Sequence, residues 1–403
     1  MNIKDIKSQF PIFQQPVNGH NFIYFDSAST TQVPDAVIDA CAAYYESYKS
    51  NVGRGIYKYA EAATQRYEDA RKVVADFIGA QGKEIIFTSG TTAAINMVAQ
   101  SWARHNMQAG DEIIISEVEH HSNILPWREL AREKNLTLTV IPVNDRGVID
   151  AQTFQNCLSG RTKLVALFYT SNLLGTTNDV AKITELAHAV GARVLIDAAQ
   201  AVAHRKIEVQ QIKCDWLVFS GHKLFGPTGI GVLYASEKVH SEMRPSVFGG
   251  GMVFSLTEQA CSWKSAPHCF EAGTPVIAQA LGLGKAVEWI GEHVDFAELQ
   301  RHETKLVRRA FDALSHIDSV VMVSLLPQKG ESCSLVTFYS SKMHAHDIAA
   351  HLDSWGIAVR AGNHCVQPYH DKQGIAATVR ISFSVYNSLE ELDACLNRLQ
   401  EIL

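Results

Sequence analysis

Lys223 closes the run Ser220-Gly221-His222-Lys223, which follows the apolar Trp216–Phe219 and precedes Leu224-Phe225-Gly226-Pro227. Lysine is rarely buried unless it is paired or chemically employed, and burial lowers its pKa. An amine tuned in this way can form a Schiff base with a carbonyl cofactor. The position equally suits a lysine that reaches from a strand end to water along its stem. Asp197 follows Val194-Leu195-Ile196 and opens Asp197-Ala198-Ala199-Gln200. A carboxylate there would lie at the carboxyl edge of a sheet, where it could hold a protonated pyridine nitrogen and make the ring an electron sink. The rival is the metal-holding Asp of a P-loop nucleotidase, but the chain has no G-x-x-x-x-G-K-[ST]. It also lacks the G-x-G-x-x-G of dinucleotide folds and the G-x-S-x-G elbow of hydrolases.

Three further groups carry weaker signals. Ser89-Gly90-Thr91-Thr92 joins a strand to a helix, and free N–H groups with the helix dipole make such a start an anion site or a plain cap. Glu119-His120-His121-Ser122-Asn123 offers an imidazole that could stack on a flat cofactor. Adjacent histidines diverge on a regular element, so joint metal ligation is poor and a pair of loop histidines is the plain alternative. Arg360-Ala361-Gly362-Asn363-His364-Cys365 sets a thiol close to an arginine and a histidine, which can stabilise a thiolate. A structural cysteine is the plain alternative there.

Elements able to position these groups alternate along the chain. Strands are expected at Ile85–Thr88, Ile113–Ile115, Leu136–Val143, Leu164–Phe168, Val194–Ile196, Trp216–Phe219 and Gly231–Tyr234, with helices at Thr91–Asn106, Trp127–Lys134 and Val180–Val190. Continuous apolar strands separated by helices imply an α/β fold with a mostly parallel sheet covered on both faces. Ligands bind at the carboxyl ends of such strands. After about residue 275 the pattern changes. A helical stretch from Ala278 to Ser315, broken near His293, leads to strands at Val320–Val323, Leu335–Tyr339, Ile357–Arg360 and Val379–Phe383. A final helix follows, with a Ser388/Glu391 capping box and Leu389, Leu392, Leu396, Leu399 and Leu403 on one face. This tail reads as a second, smaller α+β domain.

Composition narrows the function. The 403 residues are 46% hydrophobic and 19% charged, an ordinary globular balance. Net charge is 36 − 42 = −6, against a general nucleic-acid binder. The eight cysteines (41, 157, 214, 261, 269, 333, 365 and 395) contain no C-x-x-C, so neither a zinc ribbon nor an iron–sulfur ligand set is expected. Seven of them are expected to be structural. No metal ligand spacing is present despite 17 histidines. The first residues carry charge without an apolar run, and no long apolar stretch occurs, so neither a leader nor a membrane span is expected. A cytoplasmic protein with reduced thiols is the expectation.

Singly these signals are modest, but together and in this order the chain resembles the class V aminotransferase family of pyridoxal-phosphate enzymes (fold type I). Within it, the chain is similar to cysteine desulfurases of the second group, the Suf/Csd type, nearest the Csd branch. The likeness runs from Tyr24-Phe25-Asp26-Ser27-Ala28 through Gly249-Gly250-Gly251-Met252 and Glu271-Ala272-Gly273-Thr274-Pro275 to the Arg360–Cys365 run. It implies a large cofactor domain with a seven-stranded sheet over 21–290, a small domain carrying the nucleophile loop over 291–403, and an N-terminal segment 1–20 packing with the small domain.

The resemblance also implies residue roles. Lys223 would bond pyridoxal 5'-phosphate, Asp197 would pair with its ring nitrogen, Gln200 with its ring hydroxyl, and His120 would stack on its face. Thr91, Thr92, Ser220 and His222 would surround the phosphate, with Thr274 added by the neighbouring subunit of a homodimer. Asn172 and Arg380 would hold the substrate carboxylate, with Arg54 and Arg360 adding positive charge. The implied reaction converts L-cysteine to L-alanine, with sulfur carried as a persulfide on Cys365 to an acceptor protein. A selenocysteine lyase or cysteine-sulfinate desulfinase, or another lyase of the family, is the alternative. Three positions depart from the family pattern: Gly53 stands where a histidine is usual, Ala93 where an acidic residue is common, and Asn363 where a histidine pair would begin.

Overall fold

The computed structural model describes residues 2–53, 55–327 and 333–403. Seven strands form the central sheet: β1 (Ile85–Thr88), β2 (Glu112–Ser116), β3 (Thr137–Ile141), β4 (Thr162–Phe168), β5 (Arg193–Asp197), β6 (Trp216–Ser220) and β7 (Gly231–Ala235). Their spatial order is β1-β7-β6-β5-β4-β2-β3. β7 pairs antiparallel with both neighbours, and the other pairings are parallel. All seven strands expected from the apolar runs are present, with ends moved by a few residues.

The sheet is covered on both sides because successive side chains point to opposite faces. Leu164 and Ala166 of β4 enter one buried cluster with Ile113, Leu195 and Trp216. Val165 and Leu167 enter the other with Ile114, Ile196 and Leu217. This two-sided burial is why the strands read as unbroken apolar runs.

The helix after β1, α1 (Thr91–Val98), continues through a π-helical turn at Ala99–Ala103 to Asn106. The long helical stretch breaks as expected, into α2 (Ile277–His293) and α3 (Phe296–Ser315), with the Asp295 side chain capping the second. α2 crosses two helices near the start of the chain at short range. A Cβ on its Gly282 would lie 2.4 Å from Cys41 Sγ, and one on Gly284 would lie 2.9 Å from Ala70 Cβ.

A four-stranded antiparallel sheet follows, built from β8 (Val320–Met322), β9 (Leu335–Ser340), β10 (Arg360–Gly362) and β11 (Thr378–Ser382) in the order β8-β9-β11-β10. The expected single strand Ile357–Arg360 is two. Ile357 and Ala358 pair in parallel with Ile23 and Tyr24, and the chain then crosses to join β11. α4 (Gln367–Gln373) follows the Cys365 loop, and α5 (Leu389–Ile402) closes the chain with the Ser388/Glu391 capping box in place. Leu392, Leu396 and Leu399 are buried, whereas Leu389 stays half exposed at the helix start.

The N-terminal segment is tied to the later chain. Lys7 bonds Glu391, and Phe10 packs edge-on against Trp289, Tyr386 and Phe225 at centroid distances of 5.3, 5.1 and 6.1 Å. Phe225 lies two residues past Lys223, so this aromatic cluster supports the lysine turn from behind. No helix among the described residues is long and apolar enough to cross a membrane.

Candidate active site

One open cavity of about 190 Å³ lies at the carboxyl ends of β1, β4, β5 and β6. Thr91, Thr92, His120, Asn172, Asp197 and Gln200 line it, and so do Ser220, His222, Lys223, Arg360, Cys365 and Arg380. Residues from seven separate stretches of sequence therefore meet in one place. One expected residue stands apart. Thr274 is exposed and lines a different hollow with Asn51, Gly53 and Glu271. Arg54 lies outside the described residues.

Lys223 ends a tight turn, Gly221–Lys223, that follows β6 directly. Thr31 holds this turn: its N–H donates to His222 O at 2.8 Å, and its hydroxyl accepts from Phe225 N–H at 2.7 Å. The side chain keeps some contact with the cavity while its amine is enclosed by protein. Burial lowers its pKa from 10.5 to about 8, against an opposing pull from Asp197, with Arg380 adding to the fall. Lys223 therefore does not reach freely into water as a strand-end lysine would. Asp197 is buried at the end of β5, accepts from Ala199 N–H at 3.0 Å, and has its pKa raised mainly by burial. Gln200 donates one amide hydrogen to Ala28 O at 2.6 Å, which leaves its second N–H for a ligand.

The start of α1 reaches the cavity because two glycines touch. A Cβ on Gly231 would lie 2.4 Å from Gly90 Cα, and Gly90 itself has φ 149°. Ser220 Oγ accepts from Thr91 N–H at 2.8 Å and lies 2.8 Å from Thr91 Oγ1. Thr92 and Ser122 share a hydrogen bond of 2.7 Å. First-turn N–H groups, hydroxyls and His222 together make an anion cradle.

His120 is neutral, its pKa lowered to about 3 chiefly by burial and then by Lys223. Its Nδ1 accepts from Ser122 N–H at 3.1 Å, so the proton sits on Nε2. The preceding Glu119 is fully buried, accepting from Ser116 Oγ (2.6 Å), Phe168 N–H (3.0 Å) and Asn123 Nδ2 (2.8 Å). Burial raises its pKa to about 8. It anchors the loop that presents His120.

Two arginines pair across β10 and β11, Arg360 opposite Arg380. Arg380 is buried and donates to Asn172 O (2.8 Å), Asp26 Oδ1 (3.2 Å) and Ser29 Oγ (2.9 Å), while its Nε has no partner. Arg360 donates to the same Ser29 Oγ at 2.6 Å. Arg380 bonds the Asp26 carboxylate, while Arg360 bonds Ser29, whose hydroxyl donates to the same carboxylate, so one negative charge faces two guanidinium groups and the locus keeps net positive charge and an unused donor. Burial lowers the Arg380 pKa to about 10. Asp26 and Ser29 were not singled out for this role. Their sequence signal is only that Asp26 sits in the Tyr24–Ala28 run.

Cys365 is partly exposed, and both it and His364 adopt left-handed backbone, at φ 59° and 49°. Such conformations in non-glycine residues persist only where the surroundings hold them. Here Asn172 Nδ2 donates to His364 O at 2.7 Å and His121 N–H donates to Cys365 O at 2.8 Å. Asn172 thus ties the thiol loop to Arg380 through its own carbonyl, in addition to facing the cavity. Of the other cysteines, 214, 269, 333 and 395 are buried, but Cys261 is exposed on the hairpin Val253–Trp263, so it does not pack as a structural residue would. Gly53 has φ 92°, a backbone in which a histidine would be strained.

An enclosed amine, a buried carboxyl opposite it and an anion cradle in one cavity match the three handles of pyridoxal phosphate: aldehyde, ring nitrogen and phosphate. The model for class V aminotransferases matches residues 23–395. The chain belongs to the class V aminotransferase family. Among relatives of this family member, a probable cysteine desulfurase of Halalkalibacterium halodurans is 45% identical over 402 residues, covering 100% of this chain and 98% of the relative. The apo structure of a cysteine desulfurase from Thermococcus onnurineus superposes with a TM-score of 0.93 at 38% identity, over 99% of this chain and 97% of that one. The cysteine desulfurase CsdA of Escherichia coli, in its S-sulfonic acid form, gives 0.91 at 36% identity, over 100% and 98%.

Proposed function

We propose that the protein is a pyridoxal-phosphate-dependent cysteine desulfurase, converting L-cysteine to L-alanine and passing the sulfur to an acceptor. The observation that carries this reading is Cys365 in the same cavity as Lys223 and the Arg360–Arg380 pair. A desulfurase needs an amine, a carboxylate clamp and a nucleophilic sulfur around one small amino acid.

Lys223 would bond the cofactor, Asp197 would face its ring nitrogen, Gln200 its ring hydroxyl and His120 its ring face. Thr91, Thr92, Ser220 and His222 would hold its phosphate. When bound, the cofactor supplies an electron sink for charge released at the substrate Cα. Arg380 and Arg360 bind the substrate carboxylate, because a planar guanidinium offers two parallel donors. Lys223 Nζ, once free, takes the Cα proton; a lowered pKa suits it to this near neutral pH. Cys365 Sγ attacks the substrate sulfur. The new S–S bond forms as the Cβ–S bond breaks; its electron pair stays on Cβ, which takes up a proton to become the methyl group of alanine, and a persulfide is left on Cys365.

The reading extends to the assembly. The protein acts as a cytoplasmic homodimer in which Thr274 completes the phosphate cradle of the partner subunit. The exposure of Thr274, away from its own chain's cavity, supports this arrangement. We divide the chain into a cofactor domain (21–290), a small domain (291–403) and the packed segment 1–20. Arg54 joins the substrate site on the family likeness alone. The test is product analysis: purified holoenzyme given L-cysteine yields alanine and sulfane sulfur in equal amounts. Formation of pyruvate or another keto acid instead would reject it.

A further inference from the structure

Like charges that face each other directly on neighbouring strands repel, and Arg360 stands opposite Arg380 across β10 and β11. The two guanidinium groups meet at one hydroxyl. Ser29 Oγ lies 2.6 Å from Arg360 Nη1, 2.9 Å from Arg380 Nη2 and 2.6 Å from Asp26 Oδ1. Its proton has one place to go, because a guanidinium only donates and a carboxylate only accepts. Ser29 therefore gives its hydrogen to Asp26 and its lone pairs to the two arginines. It lines the cavity, but its hydroxyl is fully engaged and has nothing left for a ligand. The arginines themselves are held differently. Arg380 is 2% exposed and also donates to Asn172 O and Asp26 Oδ1. Arg360 is partly exposed at the cavity wall, and among the described residues Ser29 is the one hydrogen-bond partner of its guanidinium. The other N–H groups of Arg360 are left for a ligand.

Resting on the desulfurase reading for an α-amino acid in this cavity, we propose that Ser29 is a positioning residue that tethers Arg360 for the substrate carboxylate. It touches no substrate and acts through the arginine. An oxygen with both lone pairs turned to two cations eases their repulsion. One hydrogen bond also holds a long side chain that substrate binding would otherwise have to order. Without the hydroxyl, Arg360 loses its tether, whereas Arg380 keeps Asn172 and Asp26. The effect belongs to the carboxylate end of the substrate. Proton removal by Lys223 and sulfur transfer to Cys365 stay as they were once substrate is bound.

The experiment gives holoenzyme three ligands: L-cysteine, L-alanine and ethylamine, which is L-alanine without its carboxylate. KM and kcat are measured for L-cysteine, and dissociation constants for the other two come from the change in cofactor absorbance. In Ser29→Ala, KM for L-cysteine and the dissociation constant of L-alanine are expected to rise about three- to tenfold, the size of ordering one long side chain. In the same variant kcat is expected to stay within about twofold and ethylamine binding to be unchanged. Added to Arg360→Gln, Ser29→Ala is expected to weaken L-alanine by less than about twofold more, because no tethered guanidinium remains. A general disturbance of the site weakens ethylamine as much as L-alanine. That result, or L-alanine binding within about twofold of wild type in Ser29→Ala, overturns the assignment of Ser29. A wild-type enzyme that binds L-alanine with this dependence on Ser29, yet forms no alanine from L-cysteine, overturns the desulfurase reading and leaves the tether standing.

Discussion

The lowered pKa of Lys223 makes a quantitative forecast for cofactor capture by the apoprotein. An ammonium cannot attack an aldehyde, so the rate follows the fraction of free amine. Burial of Lys223 brings its pKa from 10.5 to about 8, a change worth about 3 kcal/mol that raises the free-amine fraction at neutral pH by roughly 300-fold. The sign is definite: capture rises as pH increases through about 8 and levels off above it. The assay mixes apoprotein with pyridoxal phosphate over a pH series and follows lysine-bound cofactor by absorbance. Borohydride and peptide mass analysis then place the bond on Lys223. An Nα-acetyllysine amide control in the same buffers removes the cofactor's own ionisation. Asp197 raises the lysine pKa, so Asp197→Asn is expected to move the midpoint to lower pH. A rate that climbs steadily to pH 10, parallel to the control, would refute the claim that burial tunes this amine.

Other expectations follow from single contacts. Arg71 is buried and grips Glu271 through two bonds, of 2.6 and 2.8 Å, while the same carboxylate accepts from Phe87 N–H. Glu271→Ala leaves that guanidinium with Glu68 and Ile85 O and should cost about 1–3 kcal/mol in urea unfolding; no measurable loss would contradict the contact's importance. Gly231→Ala drives a methyl into the Gly90 backbone at 2.4 Å. It should lower Tm, cost about 1–3 kcal/mol and weaken cofactor binding, read by equilibrium dialysis. Arg380→Lys cannot serve Asn172, Asp26 and Ser29 at once, so kcat/KM for cysteine should fall roughly ten- to hundredfold with most of the change in KM. An unchanged KM would remove Arg380 from substrate binding.

Local and two-sided features were legible before the structure. The Ser388/Glu391 cap lies within four residues and needs nothing else. The seven strands announce themselves because both faces are buried, which leaves no polar alternation to confuse them. Direction is different: an apolar run reads alike both ways, so the antiparallel pairing of β7 appears only in the sheet. The split of Ile357–Arg360 was hidden because its first half pairs with Ile23 and Tyr24, far away in sequence. Site chemistry divides in the same way. Lys223, Asp197 and Cys365 carry a signal in their own flanks. Asp26 and Ser29 gain a role only by meeting Arg380, and Asn172 only by meeting the carbonyl of His364. The exposure of Cys261 also had no local mark.

The central claim is that Cys365 receives sulfur from cysteine with the help of Lys223. Holoenzyme incubated briefly with L-cysteine, alkylated and examined by mass spectrometry, tests it most directly. The account predicts one added sulfur atom on the peptide containing Cys365, absent in Lys223→Ala. A Cys365→Ala enzyme that forms alanine from cysteine at the wild-type rate, or added sulfur found on Cys261 and not on Cys365, would contradict it.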